Sequence, residues 1–73
     1  MIALIETAGT KANIYLYNTE EEIENEMKRR YNRRVKEVKK INWNNSWIDI
    51  GKKYGRVDNW EDIIEWRVGE FEI

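Results

Sequence analysis

Apolar and polar side chains alternate along two segments near the start of the chain. Residues 2–7 are mostly apolar, which predicts a strand with neighbours on both sides. Residues 12–18 predict a second strand whose side chains alternate between two faces. One face carries Ile14 and Leu16, and the other carries Tyr15 and Tyr17. We expect the aliphatic pair to face the core and the two tyrosines to lie on the uncovered side of the sheet.

The pattern becomes helical at Thr19. Thr19 and Glu22 have the spacing of a capping box, and a Glu-rich first turn follows. Three apolar side chains then recur at helical spacing and form one stripe: Ile23, Met27 and Tyr31. Acidic residues near the start and basic residues near the end suit the helix dipole. The sequence therefore predicts a helix over residues 19–32.

Residues 33–41 allow two interpretations. Val35 and Val38 could continue the helical stripe to about residue 40. The other interpretation, which we prefer, is a strand that leads into a hairpin, because Asn44 and Asn45 favour a two-residue turn.

This hairpin would set the faces of two tryptophans. Its register pairs Ile41 with Ile48 and places Trp43 and Trp47 on opposite sides of the sheet. We expect Trp43 to lie in the core together with Trp66, since a chain this small needs large buried side chains.

The remaining segments complete the predicted fold. Residues 51–56 read as a basic loop with glycines, residues 58–60 as a capped turn, and residues 63–71 as a closing strand. The resulting order is ββαβββ. The sequence thus predicts an α+β fold with a single small domain over residues 1–73, an antiparallel-rich sheet and one helix packed on one face.

Composition limits the chemistry that the chain can perform. It has 73 residues, no Cys and no His, so disulfides, thiolate metal sites and imidazole ligands are excluded. We expect no metal site and no cofactor. A core this small is stabilised by a partner subunit, which predicts a homo-oligomer. The apolar start meets Glu6 too early for a membrane span, so we expect a cytoplasmic protein without membrane contact.

No enzyme active site is apparent. Ser46 lies in the predicted turn without a base to activate it. Three carboxylates cluster near the end of the chain: Asp58, Glu61 and Asp62. Capping and solvation explain such a cluster better than acid–base catalysis. We therefore predict that the protein is not an enzyme.

Charge is segregated along the chain despite a net charge of −1. Residues 1–27 carry six Glu against one Lys, residues 28–56 carry eleven Lys or Arg against two acids, and residues 57–73 carry six acids against one Arg. The middle segment therefore indicates an anionic partner, with a solvated helix face as the equal alternative. Gly51 to Arg56 could cradle a phosphate, although it lacks the pattern of a nucleotide-hydrolysing loop.

The closing segment, residues 60–68, reads Trp-Glu-Asp-Ile-Ile-Glu-Trp-Arg-Val. It resembles the last strand of small bacteriophage and prophage proteins, which often end on Trp, a short gap and Asp-Ile-Ile-Ala-Tyr-Arg-Val. Asp62, Ile63, Ile64, Arg67 and Val68 match, while Glu65 and Trp66 replace Ala and Tyr. Those proteins mostly lack assigned activities. The resemblance covers nine residues, implies a phage-type origin and carries over no functional residue.

These observations predict a small binding protein. We expect a phage-type accessory factor that inhibits a host defence system, either by sequestering a nucleotide or by occupying a protein surface. The alternative is a nucleic-acid-binding module that uses the basic 28–56 segment and aromatic stacking. The expected ligand surface is an aromatic patch with a cationic rim: Tyr15, Tyr17, Trp47, Lys40, Lys52, Lys53, Arg56 and Arg67.

Overall fold

The computed structural model describes residues 1–70. Its elements are β1 (Ile2–Ala8), β2 (Lys11–Tyr17), α1 (Glu20–Glu37), a turn of 3-10 helix (Trp43–Asn45), β3 (Trp47–Asp49), β4 (Tyr54–Asp58) and β5 (Ile63–Glu70). The strands form one sheet in the order β2-β1-β5-β4-β3, and every neighbouring pair is antiparallel. The predicted α+β class and the ββαβββ order are confirmed, and β1 has neighbours on both sides as expected.

Helix α1 begins where the capping box predicts. The hydroxyl of Thr19 accepts a hydrogen bond from the amide of Glu22 at 3.2 Å. Ile23 and Met27 are fully buried on the sheet, and the ring of Tyr31 meets Trp66 edge-on with centroids 6.4 Å apart. The predicted apolar stripe is therefore confirmed and forms the core together with side chains of the sheet.

The helix continues past Asn32 to Glu37, so the preferred strand over residues 33–41 is wrong and the helical interpretation is confirmed. Val35 and Val38 pack against the core on the same stripe, which gives the extra turns a buried face. The amide of Val38 donates the last hydrogen bond of the helix to the carbonyl of Arg34, and the backbone of Val38 is already extended.

The predicted Asn44–Asn45 hairpin is also wrong. These residues form the 3-10 turn, and Nδ2 of Asn45 donates to the carboxylate of Asp58 at 2.6 Å. This tertiary hydrogen bond replaces the local hairpin. Trp43, which was expected in the core, is 61% exposed, whereas Trp66 is buried as predicted.

The hairpin that does form joins β3 to β4. Trp47 lies opposite Arg56 and Asp49 opposite Tyr54, so part of the predicted 51–56 loop is a strand. Asp49 accepts a hydrogen bond from the amide of Lys52 at 3.0 Å in the connecting turn. The predicted turn at residues 58–60 and the closing strand are confirmed as far as Glu70, and residue 71 lies outside the described residues.

The alternation in β2 is confirmed, but its two faces are exchanged. Tyr15 lies beside Leu4 on the helix-covered side, and the guanidinium carbon of Arg30 stands 4.0 Å from the centre of its ring. Ile14 and Leu16 point to the other side and are 57% and 50% exposed. The alternation alone does not show which side of β2 is covered, because the cover comes from α1, whose Arg30 packs on the Tyr15 ring.

Candidate binding surface on the open sheet face

The side of the sheet that faces away from α1 is the open face. Cross-strand pairing places its side chains in two rows, since directly opposed residues of antiparallel strands point to the same side. One row is Ile14, Ile5, Arg67, Tyr54 and Asp49, and the other is Ala12, Thr7, Glu65, Arg56 and Trp47. Five strands thus bring together residues that lie far apart in the chain.

An aromatic–arginine cluster occupies one half of the open face, and it consists of Trp47, Tyr54, Arg56, Glu65 and Arg67. The rings of Trp47 and Tyr54 are 5.8 Å apart, with their planes inclined at 43°. The guanidinium of Arg56 lies 5.8 Å from the Trp47 ring centre, and that of Arg67 lies 5.5 Å from the Tyr54 ring centre. Stacking of this kind holds the planar cations in place.

Hydrogen bonds fix one side of this cluster. Glu65 accepts from the hydroxyl of Tyr54 and, at 2.8 Å, from Nη2 of Arg67. Nε of Arg56 is buried and has no hydrogen-bond partner within residues 1–70. Arg56 is therefore positioned by the ring of Trp47 rather than by an acceptor.

The other half of the open face is aliphatic. Ile14 and Leu16 on β2 are the exposed members, and Ile5 on β1 lies directly beside Ile14. Trp47 is 45% exposed at the far edge of the same face. The exposed apolar side chains therefore lie at the two opposite edges of the open face, with Thr7, Glu65, Arg56 and Arg67 on the strands between them.

The structure divides the predicted ligand surface into separate places. Trp47, Arg56 and Arg67 share the open face as expected. Tyr15 and Tyr17 lie on the opposite side and pack against the core, so the single aromatic patch is wrong. The prediction failed for Tyr15 and Tyr17 because the alternation in β2 does not show which side of the strand the helix covers.

The predicted lysines lie away from the open-face cluster. Lys52 and Lys53 are in the β3–β4 turn, and Nζ of Lys53 donates to Glu20 at 2.8 Å. This hydrogen bond raises the pKa of Lys53 above its ordinary value. Lys40 follows the end of α1 and lines a cleft there. None of the three contributes to the cluster around Trp47.

A polar network fills the helix-covered side near Tyr15. Glu6 accepts from Nε1 of Trp66 at 2.7 Å and from Arg30 at 3.3 Å, while Arg30 also donates to Glu26 at 2.8 Å. Burial on its own would lower the pKa of Arg30, but contacts with Tyr15 and Glu26 outweigh it and raise that pKa. Arg29 bonds to Glu26 as well and holds the pKa of this carboxyl below its ordinary value. Arg29 and Arg30 of the basic segment are therefore paired with carboxylates of the protein itself.

The terminal cleft lies between the end of α1 and the loop that precedes β5. It has a volume of about 420 Å³ and is lined by Arg34, Glu37, Val38, Lys39, Lys40, Asn59 and Glu61. A smaller hollow of about 190 Å³ shares Arg34 and Glu37 with it. Trp60, between two lining residues, is 69% exposed.

Among the clustered carboxylates, that of Asp58 has a structural role. Asp58 accepts from Asn45 at 2.6 Å and from the amide of Trp60 at 2.8 Å. Asn59 caps the same turn by accepting from the amides of Glu61 and Asp62. Within residues 1–70, no group of three or more acidic side chains is placed to hold a metal ion.

Sequence reasoning missed Tyr54, the exposure of the aliphatic half, and the cleft. The Tyr54 ring could have been found only from the β3–β4 register, which depends on long-range pairing. The exposed Ile14 and Leu16 follow an ordinary strand alternation, and nothing local states which face is covered.

Comparison with protein-family models, with curated proteins and with solved structures finds no match to this chain. Among residues 1–70, the helix that the structure contains is too polar to cross a membrane. The open face is therefore the feature from which a function can be proposed.

Proposed function

We propose that this protein is a non-enzymatic binding protein that occupies the surface of a partner protein with its open face. The observation that carries the proposal is the joint exposure of Trp47, Ile14 and Leu16 on one side of the sheet, at 45%, 57% and 50%. Burying such side chains against a partner is favourable in proportion to the apolar area removed from water. A sheet face that exposes large apolar side chains at both edges, with aromatic rings and arginines between them, is typical of an interaction site.

The polar residues of the open face also suit a protein partner. Its cations are arginines, and both stack on aromatic rings. Arginine, Trp and Tyr are the residue types that dominate the energetics of protein interfaces, whereas lysine is depleted there. The lysines of the described residues lie on α1 and after it, in the β3–β4 turn and at the start of β2, and none belongs to the aromatic–arginine cluster.

The charge balance of the open face argues against nucleic acid as its ligand. Asp49 and Glu65 accompany Arg56 and Arg67 in the two rows, so the face has no excess of positive charge. A phosphate backbone needs such an excess for affinity. The nucleic-acid alternative therefore receives its support from the basic residues of α1 rather than from this surface.

The biological setting of the proposal comes from the closing strand. Its similarity to phage and prophage proteins favours a component of a bacterial host as the partner, with inhibition of a host defence system as the outcome of occupying its surface. This part of the proposal stays a prediction until a partner is identified.

Affinity capture with a matched set of variants tests the proposal. The tagged wild type, Trp47→Ala and Trp43→Ala are incubated with bacterial lysate, and bound proteins are identified by mass spectrometry. Trp43 is a more exposed Trp outside the strands of the open face, so it controls for nonspecific adsorption through an exposed ring. The candidate is then purified and titrated with each variant, and Trp47→Ala should weaken its binding by about 2 kcal/mol or more.

Two results of this titration would contradict the proposed role of the open face. A purified candidate that binds wild type and Trp47→Ala equally, or that loses affinity equally with Trp43→Ala, would remove the open face from the proposal. Thermal unfolding should show that Trp47→Ala still folds, with a loss of about 1–2 kcal/mol from the contacts that the ring makes with Tyr54 and Arg56.

A further inference from the structure

We infer that the terminal cleft binds a small phosphorylated ligand that also carries a planar ring, such as a nucleoside monophosphate. This site is separate from the open face and does not depend on the proposed function. Its volume of about 420 Å³ falls within the range of small-molecule sites.

The cations of the cleft exceed what the protein neutralises. Arg34 reaches Glu37 only at 3.9 Å, and its Nε is buried without a hydrogen-bond partner within residues 1–70. Lys39 and Lys40 have no ion-pair partner in the same described range. The neighbouring hollow adds Arg33, which is exposed. A phosphate in the cleft would give these cations a counter-charge.

Helix-dipole complementarity accounts for only part of this arrangement. The end of α1 carries a partial charge of about −0.5, which one cation suffices to balance. Arg34, Lys39 and Lys40 all line the cleft against the carboxylates of Glu37 and Glu61. Three cations against two carboxylates give the lining a net charge of +1, and the helix end offsets about half of it, so a small positive excess remains.

A second observation concerns Trp60. Its backbone φ is 74°, in the left-handed region that bulky side chains rarely adopt, yet its ring is 69% exposed and gains little from burial. The amide of Trp60 is held by Asp58 at 2.8 Å, and Asn59 caps the following turn. Strained residues of this kind, kept by their surroundings, are concentrated at functional sites.

Trp60 is the residue between two that line the terminal cleft. It lies between Asn59 and Glu61, which both line the cleft, so its backbone is at the rim of the cleft. An exposed Trp beside cations can stack a planar base while the cations hold its phosphate. This combination distinguishes a nucleoside phosphate from inorganic phosphate.

Calorimetric titration with adenosine 5′-monophosphate tests the inference, with ribose 5-phosphate and adenosine as the two partial probes. The monophosphate should bind more tightly than either partial probe. Lys40→Glu should weaken its binding about tenfold or more, since a charge-assisted hydrogen bond is lost. Lys28→Glu makes the same charge change on α1 away from the cleft lining, and it should have a much smaller effect.

Trp60→Asn removes the ring without disturbing the turn, because Asn adopts the left-handed region readily. It should reduce affinity for the monophosphate roughly 5- to 150-fold and leave that for ribose 5-phosphate unchanged. Trp43→Asn is the control, since Trp43 does not flank a lining residue of the cleft. No binding of the monophosphate at millimolar concentration, or equal losses in each variant and its control, would overturn the site.

Discussion

The carboxylate of Asp58 joins two loops that are distant in the chain. Its oxygens accept from Nδ2 of Asn45 at 2.6 Å and from the amide of Trp60 at 2.8 Å. The hydroxyl of Ser46 accepts from the amide of Asp58 itself at 2.8 Å. The hydrogen bond from Asn45, followed by that from Trp60, holds the pKa of Asp58 below its ordinary value. Its ionised form therefore stabilises both the segment before Trp47 and the turn at Trp60.

Asp58→Asn should make the free energy of unfolding depend less on pH in the acidic range. Because the folded-state pKa is lowered, ionised Asp58 stabilises the fold above about pH 4, and this contribution is lost as the pH falls through the lowered pKa. The variant should be less stable than wild type near neutrality, and the difference should shrink on acidification. Urea midpoints from about pH 7 to about pH 3 measure it.

Asp62→Asn is the control for that series, because its exposed side chain accepts no hydrogen bond within residues 1–70. Its midpoint should follow wild type at every pH. A difference between Asp58→Asn and wild type that stays constant with pH would show that the ionised form has no special role.

At the scale of secondary-structure elements, the sequence predicted the elements whose formation depends on residues close together in the chain. The start of α1 and its buried stripe follow from Thr19, Ile23 and Met27, whose spacing alone defines a capped amphipathic helix. The first two strands, β1 and β2, followed from their apolar pattern and from the turn between them. These features need no knowledge of the rest of the chain.

Long-range partners decided what the sequence could not predict. Asn45 bonds to Asp58 instead of turning a hairpin, so a favourable local turn lost to a tertiary contact. The exchange of faces in β2 depends on Arg30 of α1, which stacks on Tyr15. The open face was therefore predicted only through Trp47, Arg56 and Arg67, and its aliphatic half appeared only in the structure.

The packing of β4 on β5 depends on a residue without a side chain. A Cβ at Gly55 would lie 3.3 Å from Cε3 of Trp66 and 3.6 Å from Cγ1 of Ile48. Trp66 is fully buried and donates from Nε1 to Glu6 at 2.7 Å, so its ring has no room to withdraw. Gly55 is thus required for space rather than for its backbone conformation.

Gly55→Ala should destabilise the fold by about 1–3 kcal/mol, the usual effect of overpacking a tight core. Gly51→Ala is the matched control, because the added atom would lie at an ordinary 3.4 Å from an oxygen of Asp49. Its effect should stay within about 0.5 kcal/mol. Equal urea midpoints for the two variants would contradict the packing described for Trp66.

At the scale of the whole molecule, the helix covers one side of a five-stranded sheet and leaves the other side to solvent. A core of this size has little stability to spare, and a sheet with an exposed apolar face is stabilised when a second sheet packs on it. In the absence of its partner protein, we expect the open face to pair with a second copy of itself. The partner would then replace that copy.

The pairing can be made self-complementary by charge. Glu65 and Arg67 lie on β5, the middle strand of the sheet, and both point to the open face. Consider a two-fold axis that lies in the plane between the two sheets and runs at a right angle to β5 at the level of Trp66. Rotation about this axis brings Glu65 of each copy opposite Arg67 of the other. The aliphatic halves then meet each other across the interface.

Sedimentation of the free protein at micromolar concentration should therefore show a species larger than the 8.9 kDa monomer. Glu65→Arg should dissociate it, because it places like charges across the axis, whereas the double variant Glu65→Arg with Arg67→Glu restores opposite charges and should restore the dimer. Leu16→Lys should dissociate it as well, through the aliphatic half. A monomer for the wild type, or a dimer that none of these changes affects, would exclude pairing through the open face, and the exposed Ile14, Leu16 and Trp47 would then serve the partner protein alone.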